Sequence, residues 1–293
     1  TRTRRAKGHP GVPTMQEHGF EIEFPPQASQ QLAGLEAHTP QVAAGGNVRH
    51  LRDQLWSSID NDTSRDLDQI ELADHGSNGD VRVMIGVADV DSFVSKQTPI
   101  DQHAALETTT VYTGVRNFPM LPEELSTGVT SLLENQDRLC IVVEFVVDAS
   151  GQVTSQDIYR AVVRNKAQLQ YNSVGEWLEG KSAAPAKVAS SSELQAQLKL
   201  QDEVAQRLKQ HRFQNGALTL DTDEAHPVVL NEKVVDIVQQ QRNRATDLIE
   251  DFMIAANGIV ARRLESVSSL RRIVRTPKRW DRIVQLAASH GVE

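Results

Sequence analysis

Residues Leu139–Val147 read LCIVVEFVV, followed by DASG at Asp148–Gly151 and by the alternating run Gln152–Asn165. A β-branched, aromatic run of this length fits a buried strand, and a Gly-containing turn into a period-two run predicts a β-hairpin. Upstream, Asp80–Asp89 (DVRVMIGVAD) reads as a second buried strand. Downstream, Ser192–Gln210 places Leu194, Leu198, Val204 and Leu208 at helical spacing, with Ser192 as the expected N-cap. Val228–Val238 reads as a hairpin around Asn231–Lys233. Ala245–Leu264 reads as a second long helix whose small face, Ala255-Ala256-Asn257-Gly258, suits close packing. Strands first and long helices later predict an α+β fold, a mixed or antiparallel sheet with helices packed on it.

The first fifty residues differ. Thr1–His9 reads as a basic arm and Gln27–Gly46, rich in Ala, Gln and Gly, as a linker. Residues 1–50 are therefore expected to be an extension and residues 51–293 the folded domain. With 293 residues, 39% hydrophobic, the chain is long enough for a real core. The single Cys140 excludes a disulfide framework and fits a reducing, cytoplasmic compartment. No apolar run approaches the roughly 18–20 residues of a membrane helix. A net charge of −8 argues against a general nucleic-acid coat but leaves room for a local basic groove.

The densest chemistry is SSIDNDTSRDLDQIE, Ser57–Glu71, where Asp60, Asp62, Asp66 and Asp68 precede Glu71. Carboxylates this close repel one another unless a cation neutralises them. Three readings stand side by side. One is a solvated acidic loop whose Asp and Ser cap helices. Another is a calcium loop starting at Asp60, but Arg65 stands where the sharp turn needs Gly, and LADHGSNGD after Glu71 reads as a turn, not a helix. The last is Mg²⁺-assisted phosphodiester chemistry, in which carboxylates hold the metal. His211 and His226 have no partner at zinc-ligand spacing.

SIDNDTSRDLDQIE, VRVMIGVADVDSFV, VYTGVRNFPMLPEELSTGVTSLLENQDRLCIVVEF, NKAQLQYNSVGEWLEG, the NGAL of Asn215–Leu218 and DLIEDFMIAANGIVARRL together resemble the ribonuclease II family's catalytic domain, the RNB domain. They run in the family's order from about Ser57 to about Leu264. The resemblance implies a Mg²⁺-dependent 3′→5′ exoribonuclease that releases nucleoside 5′-monophosphates from single-stranded RNA. It implies that Asp60, Asp66 and Asp68 hold metal and position the attacking water. Tyr171 would lie beside the scissile phosphate, Tyr112 would stack near the RNA 3′ end, and Glu250 would contact the terminal nucleotides. Stacking on aromatic rings is sequence-tolerant, as a general RNA degrader requires. Asp89 reads as structural, capping the turn after its strand. Trp56, Trp177 and Trp280 read as packing residues.

The sequence departs from the family pattern at three places. Gln69 stands where the family has a fourth aspartate, and an amide brings no negative charge; Asp62 could substitute. Leu220 stands where an aromatic usually completes the 3′-end clamp. The family's domain runs on past the position of Glu293, through a phosphate-holding arginine, and an S1-type RNA-binding domain usually follows. The domain is thus expected to be incomplete on its C-terminal side. These departures support an alternative: a truncated or degenerate homologue that binds RNA or a partner without cleaving. Val260–Arg282 carries a net +6 within this acidic chain, a pattern suited to phosphate contact.

Overall fold

The computed structural model describes residues 11–37, 47–113, 115–217, 225–230, 233–239, 242–269 and 278–291. The first elements are α1 (Gly11–Glu17), α2 (Pro26–Ala37), β1 (Val48–His50), β2 (Trp56–Asp60), β3 (Gln69–His75), β4 (Val81–Ala88) and α3 (Pro99–Glu107). They are followed by β5 (Val111–Tyr112), β6 (Asn117–Phe118), β7 (Asp137–Val147), β8 (Val153–Gln170), α4 (Tyr171–Leu178) and α5 (Ala186–Ala189). The last are α6 (Ser192–Gln214), β9 (Ala225–Leu230), β10 (Lys233–Gln239), α7 (Arg244–Arg263) and α8 (Trp280–Ser289).

The expected hairpin is β7 and β8, paired antiparallel from Asp137↔Arg164 to Val147↔Val153. β8 runs on for 18 residues and pairs with three strands, β1, β2 and β7. Its first part pairs with β7, and its last part runs parallel to β2, from Trp56↔Asn165 to Asp60↔Gln170. The sheet order is β1-β8-β2-β3-β4-β7, and the β7–β8 pairing closes it on itself. The sheet is mixed: β1 and β2 run parallel to β8, and the other pairs are antiparallel. The fold is α+β, as the order of elements implied.

Strand alternation separates two cores. Trp56, Ile70, Leu72, Met84, Cys140, Val142, Ala161 and Val163 pack with one another on one face. Gly86 belongs to this crowded side: a Cβ there would lie 3.1 Å from the Ile70 side chain and 3.3 Å from the Cys140 sulfur. The other face presents Ile59, Val83, Ile85, Val143 and Phe145 to the apolar stripes of α6 and α7, among them Leu198, Val204, Leu208, Leu248, Phe252 and Ile259. The helix N-termini are capped locally. Ser191, one residue before the expected Ser192, caps α6 by accepting from Leu194 N at 3.1 Å. Asn243 caps α7 in a reciprocal box with Thr246.

Several readings are corrected. The stretch expected as a linker, Gln27–Gly46, is helical as far as Ala37. α2 packs Ala28, Leu32 and Leu35 with Phe93, Ile100 and Leu125 around α3, and Gln31 accepts from Ile100 N. LADHGSNGD is a turn only at Ser77–Gly79, since Leu72–His75 continues β3. Strands, not helices, therefore flank the acidic loop, which removes the calcium-loop reading. Trp56 is fully buried, but Trp280 is 43% exposed on α8 and is not a packing residue. Asp89 does cap its turn, bonding Ser92 and the guanidinium of Arg160.

Candidate active site

The loop 61–68 joins β2 to β3 and is held from below. Leu67 N donates to Ser131 Oγ at 3.0 Å, and Ser131 Oγ donates to the Arg65 carbonyl at 2.8 Å. Leu132 N bonds the Leu67 carbonyl, and Ala88 N bonds the Asp68 carbonyl. Leu67 is buried as the anchor, and its sequence neighbours Asp66 and Asp68 line a cleft. Asp60 arrives at the same cleft as the last residue of β2.

The three aspartates act on one another. Burial pushes Asp60 up to about 6, with the charges of Asp68 and Asp66 adding to the rise and hydrogen bonds from Ser58 and Gln69 opposing it. Asp68 is raised by burial and by Asp66. Gln69 Nε2 donates to Asp60 Oδ1 at 3.2 Å, while Asp60 Oδ2 is buried without a partner. Arg65, the closest arginine in sequence, bonds Glu123 instead. Asp62 is exposed and is not among the residues lining this cleft.

Two tyrosines complete the constellation. Tyr112, on β5, donates its hydroxyl to Asp66 Oδ2 at 2.5 Å and leaves its ring 62% exposed. Burial of the hydroxyl and the Asp66 bond push it up to about 12. Tyr171 opens α4, one residue past the Asp60↔Gln170 pairing. Burial, then Asp60, Glu71 and Asp68, raise its hydroxyl far above the ordinary value. Both phenols therefore stay protonated at neutral pH and act as hydrogen-bond donors, not bases.

The cleft has a volume of about 1050 Å³ and is lined by Asp60, Asp66, Asp68, Tyr112, Leu121 and Pro227 among others. A hollow of about 630 Å³ adjoins it, sharing Asp66 and Tyr112 and bounded by Phe24, Leu32, Arg65 and Arg116. The helix α2 is thus one wall of the approach to the site. Glu250 is not drawn into the cluster; it lies on the exposed side of α7 and pairs with Arg242. Leu220 and the basic residues Arg271, Arg272 and Arg275 lie outside the described residues. Of the basic segment, Arg262 bonds Gln156 and lines a separate pocket with His211, Arg212 and Asp251.

Reading by resemblance missed three residues. Asn165, 1% exposed, donates from Nδ2 to Ser58 Oγ at 3.2 Å and to the Leu132 carbonyl at 3.0 Å. Ser58 in turn bonds Asp60. This relay fixes the carboxylate from behind, and its only mark in the sequence is a polar residue within a buried strand. The third is Glu71, fully buried on β3 beneath Asp60 and Asp68.

The donor set suits a hard divalent cation: carboxylate oxygens only, one of them buried and unsatisfied, in a patch where negative charges oppose each other. Among the described residues, no three Asp, Glu, His or Cys side chains are already gathered as a cage. Asp60, Asp66 and Asp68 are the groups that would hold such an ion. No helix among the described residues is long and apolar enough to cross a membrane.

Comparison with known proteins places this geometry. A family model described as RNB domain matches residues 48–290. Ribonuclease R of Escherichia coli (strain K12) is 33% identical over 252 residues, covering 86% of this chain and 30% of that protein. Ribonuclease R of Thermotoga maritima is 34% identical over 242 residues, covering 82% and 33% respectively. The chain thus spans about a third of the length of these relatives. Mycoplasma genitalium RNase R, solved with ribose methylated single-stranded RNA, has the same fold at TM-score 0.83 and 23% identity, covering 95% of this chain and 43% of that one. Yeast Ssd1, described as a pseudonuclease, is more distant, at TM-score 0.56 and 17% identity, covering 75% and 26%.

Proposed function

The chain belongs to the RNB domain family, and on that premise we propose that it carries the catalytic site of a Mg²⁺-dependent 3′→5′ exoribonuclease acting on single-stranded RNA in the cytoplasm. The observation that supports this most is the meeting of Asp60, Asp66, Asp68 and Tyr112 at one cleft, with Tyr171 close enough to feel the charges of Asp60 and Asp68 and the carboxylates lacking any cationic partner among the described residues. Asp60, Asp66 and Asp68 are the groups that would hold Mg²⁺, which would supply Lewis-acid polarisation of the phosphoryl group and activation of water. The protein's own groups do the rest. The exposed Tyr112 ring offers a stacking face to a base near the 3′ end, and its hydroxyl keeps Asp66 turned into the cleft. The protonated Tyr171 hydroxyl donates to a non-bridging phosphate oxygen as charge builds there. Asn165 and Ser58 hold Asp60 in place. Glu250, freed from Arg242, accepts from the hydroxyls of the terminal ribose. Hydrolysis breaks the bond between phosphorus and the preceding 3′ oxygen, so the phosphate leaves on the released nucleotide as a 5′-monophosphate.

A second reading, an RNA binder that does not cleave, has one observation in its favour: Gln69, a neutral amide, occupies the place of a family aspartate and bonds Asp60. One assay separates the two. With 5′-labelled single-stranded RNA and Mg²⁺, the enzyme produces a ladder shortening from the 3′ end, abolished by EDTA and in Asp68→Asn. Bound but intact RNA under the same conditions favours the binder.

A further inference from the structure

Successive side chains of a strand face opposite ways. Gln69 and Glu71 therefore share one face of β3, while Ile70 and Leu72 belong to the core on the other. Glu71 is fully buried, and neither of its carboxylate oxygens has a hydrogen-bond partner. Ser57 stands directly opposite across the β2–β3 pairing, and its hydroxyl is also buried and unpartnered. α6, which packs on β3, brings no base: its buried Gln201 spends its amide nitrogen on Gln197. The charges that act on Glu71 are those of Asp60 and Asp68. A carboxylate stripped of water and within range of other carboxylate charges costs more than an apolar or amide side chain of similar volume would. Placed two residues from an amide that brings no charge, it makes sense as a shared ligand.

We propose that Glu71 is a fourth carboxylate of the cation site, supplying from two residues further along β3 the negative charge that Gln69 lacks. The inference rests on the reading of Asp60, Asp66 and Asp68 as ligands of a hard divalent cation. It accounts for two features at once: the buried, unpartnered carboxyl of Glu71, and the amide at Gln69, tolerated because the charge has moved along the same strand face.

The test is calorimetric titration of the whole chain with Mg²⁺ and with Mn²⁺, no RNA present. It compares the unaltered protein with Glu71→Gln, Asp60→Asn and the double variant Gln69→Asp/Glu71→Gln. Glu71→Gln keeps the shape and removes the charge; it weakens binding about tenfold or more, and Gln69→Asp restores most of the loss. Melting with and without Mg²⁺ gives a second readout. A ligand role shrinks the Mg²⁺-induced rise, whereas a purely structural role lowers both melting points equally and overturns the proposal. Should Glu71→Gln not fold, Glu71→Asp, which withdraws the charge by one methylene, is expected to weaken binding by a few fold; unchanged affinity overturns the proposal. Affinity unchanged in Glu71→Gln but lost in Asp60→Asn removes Glu71 from the site and leaves the aspartates in it. No binding by the unaltered protein brings down the cation reading and this inference together.

Discussion

Two groups of carboxylates in this molecule keep opposite company. Between α6 and α7, Asp202 meets the guanidinium of Arg244, Asp247 meets Lys209 and Arg242, and Asp251 meets Arg212 at 2.5 Å. At the β2–β3 loop, Asp60, Asp66, Asp68 and Glu71 meet no cationic side chain among the described residues; their neighbours are Gln69, two tyrosines and each other. Protonation follows burial as well as pairing: Asp251 rises to about 6 through burial even with Arg212 beside it, while Asp247 is held down. Burial alone would raise Asp247, but Lys209 and Arg242 hold it below the ordinary value. Asp60 has no such counterweight and rises to about 6. The fold supplies a cation for each of these acids between the two helices, yet leaves three acids lining a cleft, and the fully buried Glu71, without one among the described residues.

The largest effect that would sharpen this contrast is on cleavage. Asp68→Asn is expected to slow RNA hydrolysis by at least about 10²–10³-fold, as loss of a preorganised charge does at other active sites. Its urea midpoint should stay level or rise, because a repelled charge is gone. Single-turnover cleavage and a denaturation curve on the same preparation check both halves.

On the other side, Arg212→Ala leaves Asp251 buried without its partner and is expected to cost about 3 kcal/mol of stability. Cleavage per folded molecule should be unchanged, since Arg212 lines a different pocket from the aspartates. Loss of activity in the folded variant would blur the division.

The next effect is pH-dependent and of smaller size. Asp60 and Asp251 both lie at about 6 in the folded protein, above the ordinary aspartate value. The folded state thus retains protons that the unfolded chain has released, and metal-free stability falls as pH rises from about 4 to about 6. Cleavage moves the opposite way: cation binding needs deprotonated carboxylates, so the rate falls as pH drops through the same window. Asp60→Asn should flatten part of the stability slope, measured as urea midpoint against pH without Mg²⁺.

The smallest effect concerns Tyr112. Tyr112→Phe keeps the ring and loses the bond to Asp66, with a change of a few fold expected. Tyr112→Ala removes the stacking face and should weaken RNA binding by about 1–3 kcal/mol. Equal losses in the two variants would shift the role from the ring to the hydroxyl.

Legibility in the sequence tracked the length and purity of each signal. β4, β7, α6 and α7 announce themselves by apolar runs or helical spacing, and the start of β8 by the Gly-containing turn that precedes it. β2 and the end of β3 are short and polar, WSSID and LADH, and owe their strand state to neighbours far along the chain. α2 has a Gln- and Ala-rich composition that reads as a linker until α3 covers it. Of the candidate site, Asp60, Asp66, Asp68 and Tyr112 were readable as a motif, and Tyr171 came to the same place through the parallel pairing of β2 with β8. The Asn165–Ser58 support was not readable, because it spans 107 positions and depends on the register switch of β8. Glu71 was visible as an acid, but its burial between two strands and a helix was not.

The central claim is tested most directly by crossing the two regions in one experiment. Single-turnover cleavage of 5′-labelled single-stranded RNA in Mg²⁺ and the urea midpoint are measured for Asp60→Asn and Arg212→Ala. Asp60→Asn is expected to lose cleavage and keep its midpoint, and Arg212→Ala to lose midpoint and keep cleavage. Cleavage retained in Asp60→Asn, or lost equally in both folded variants, would contradict it.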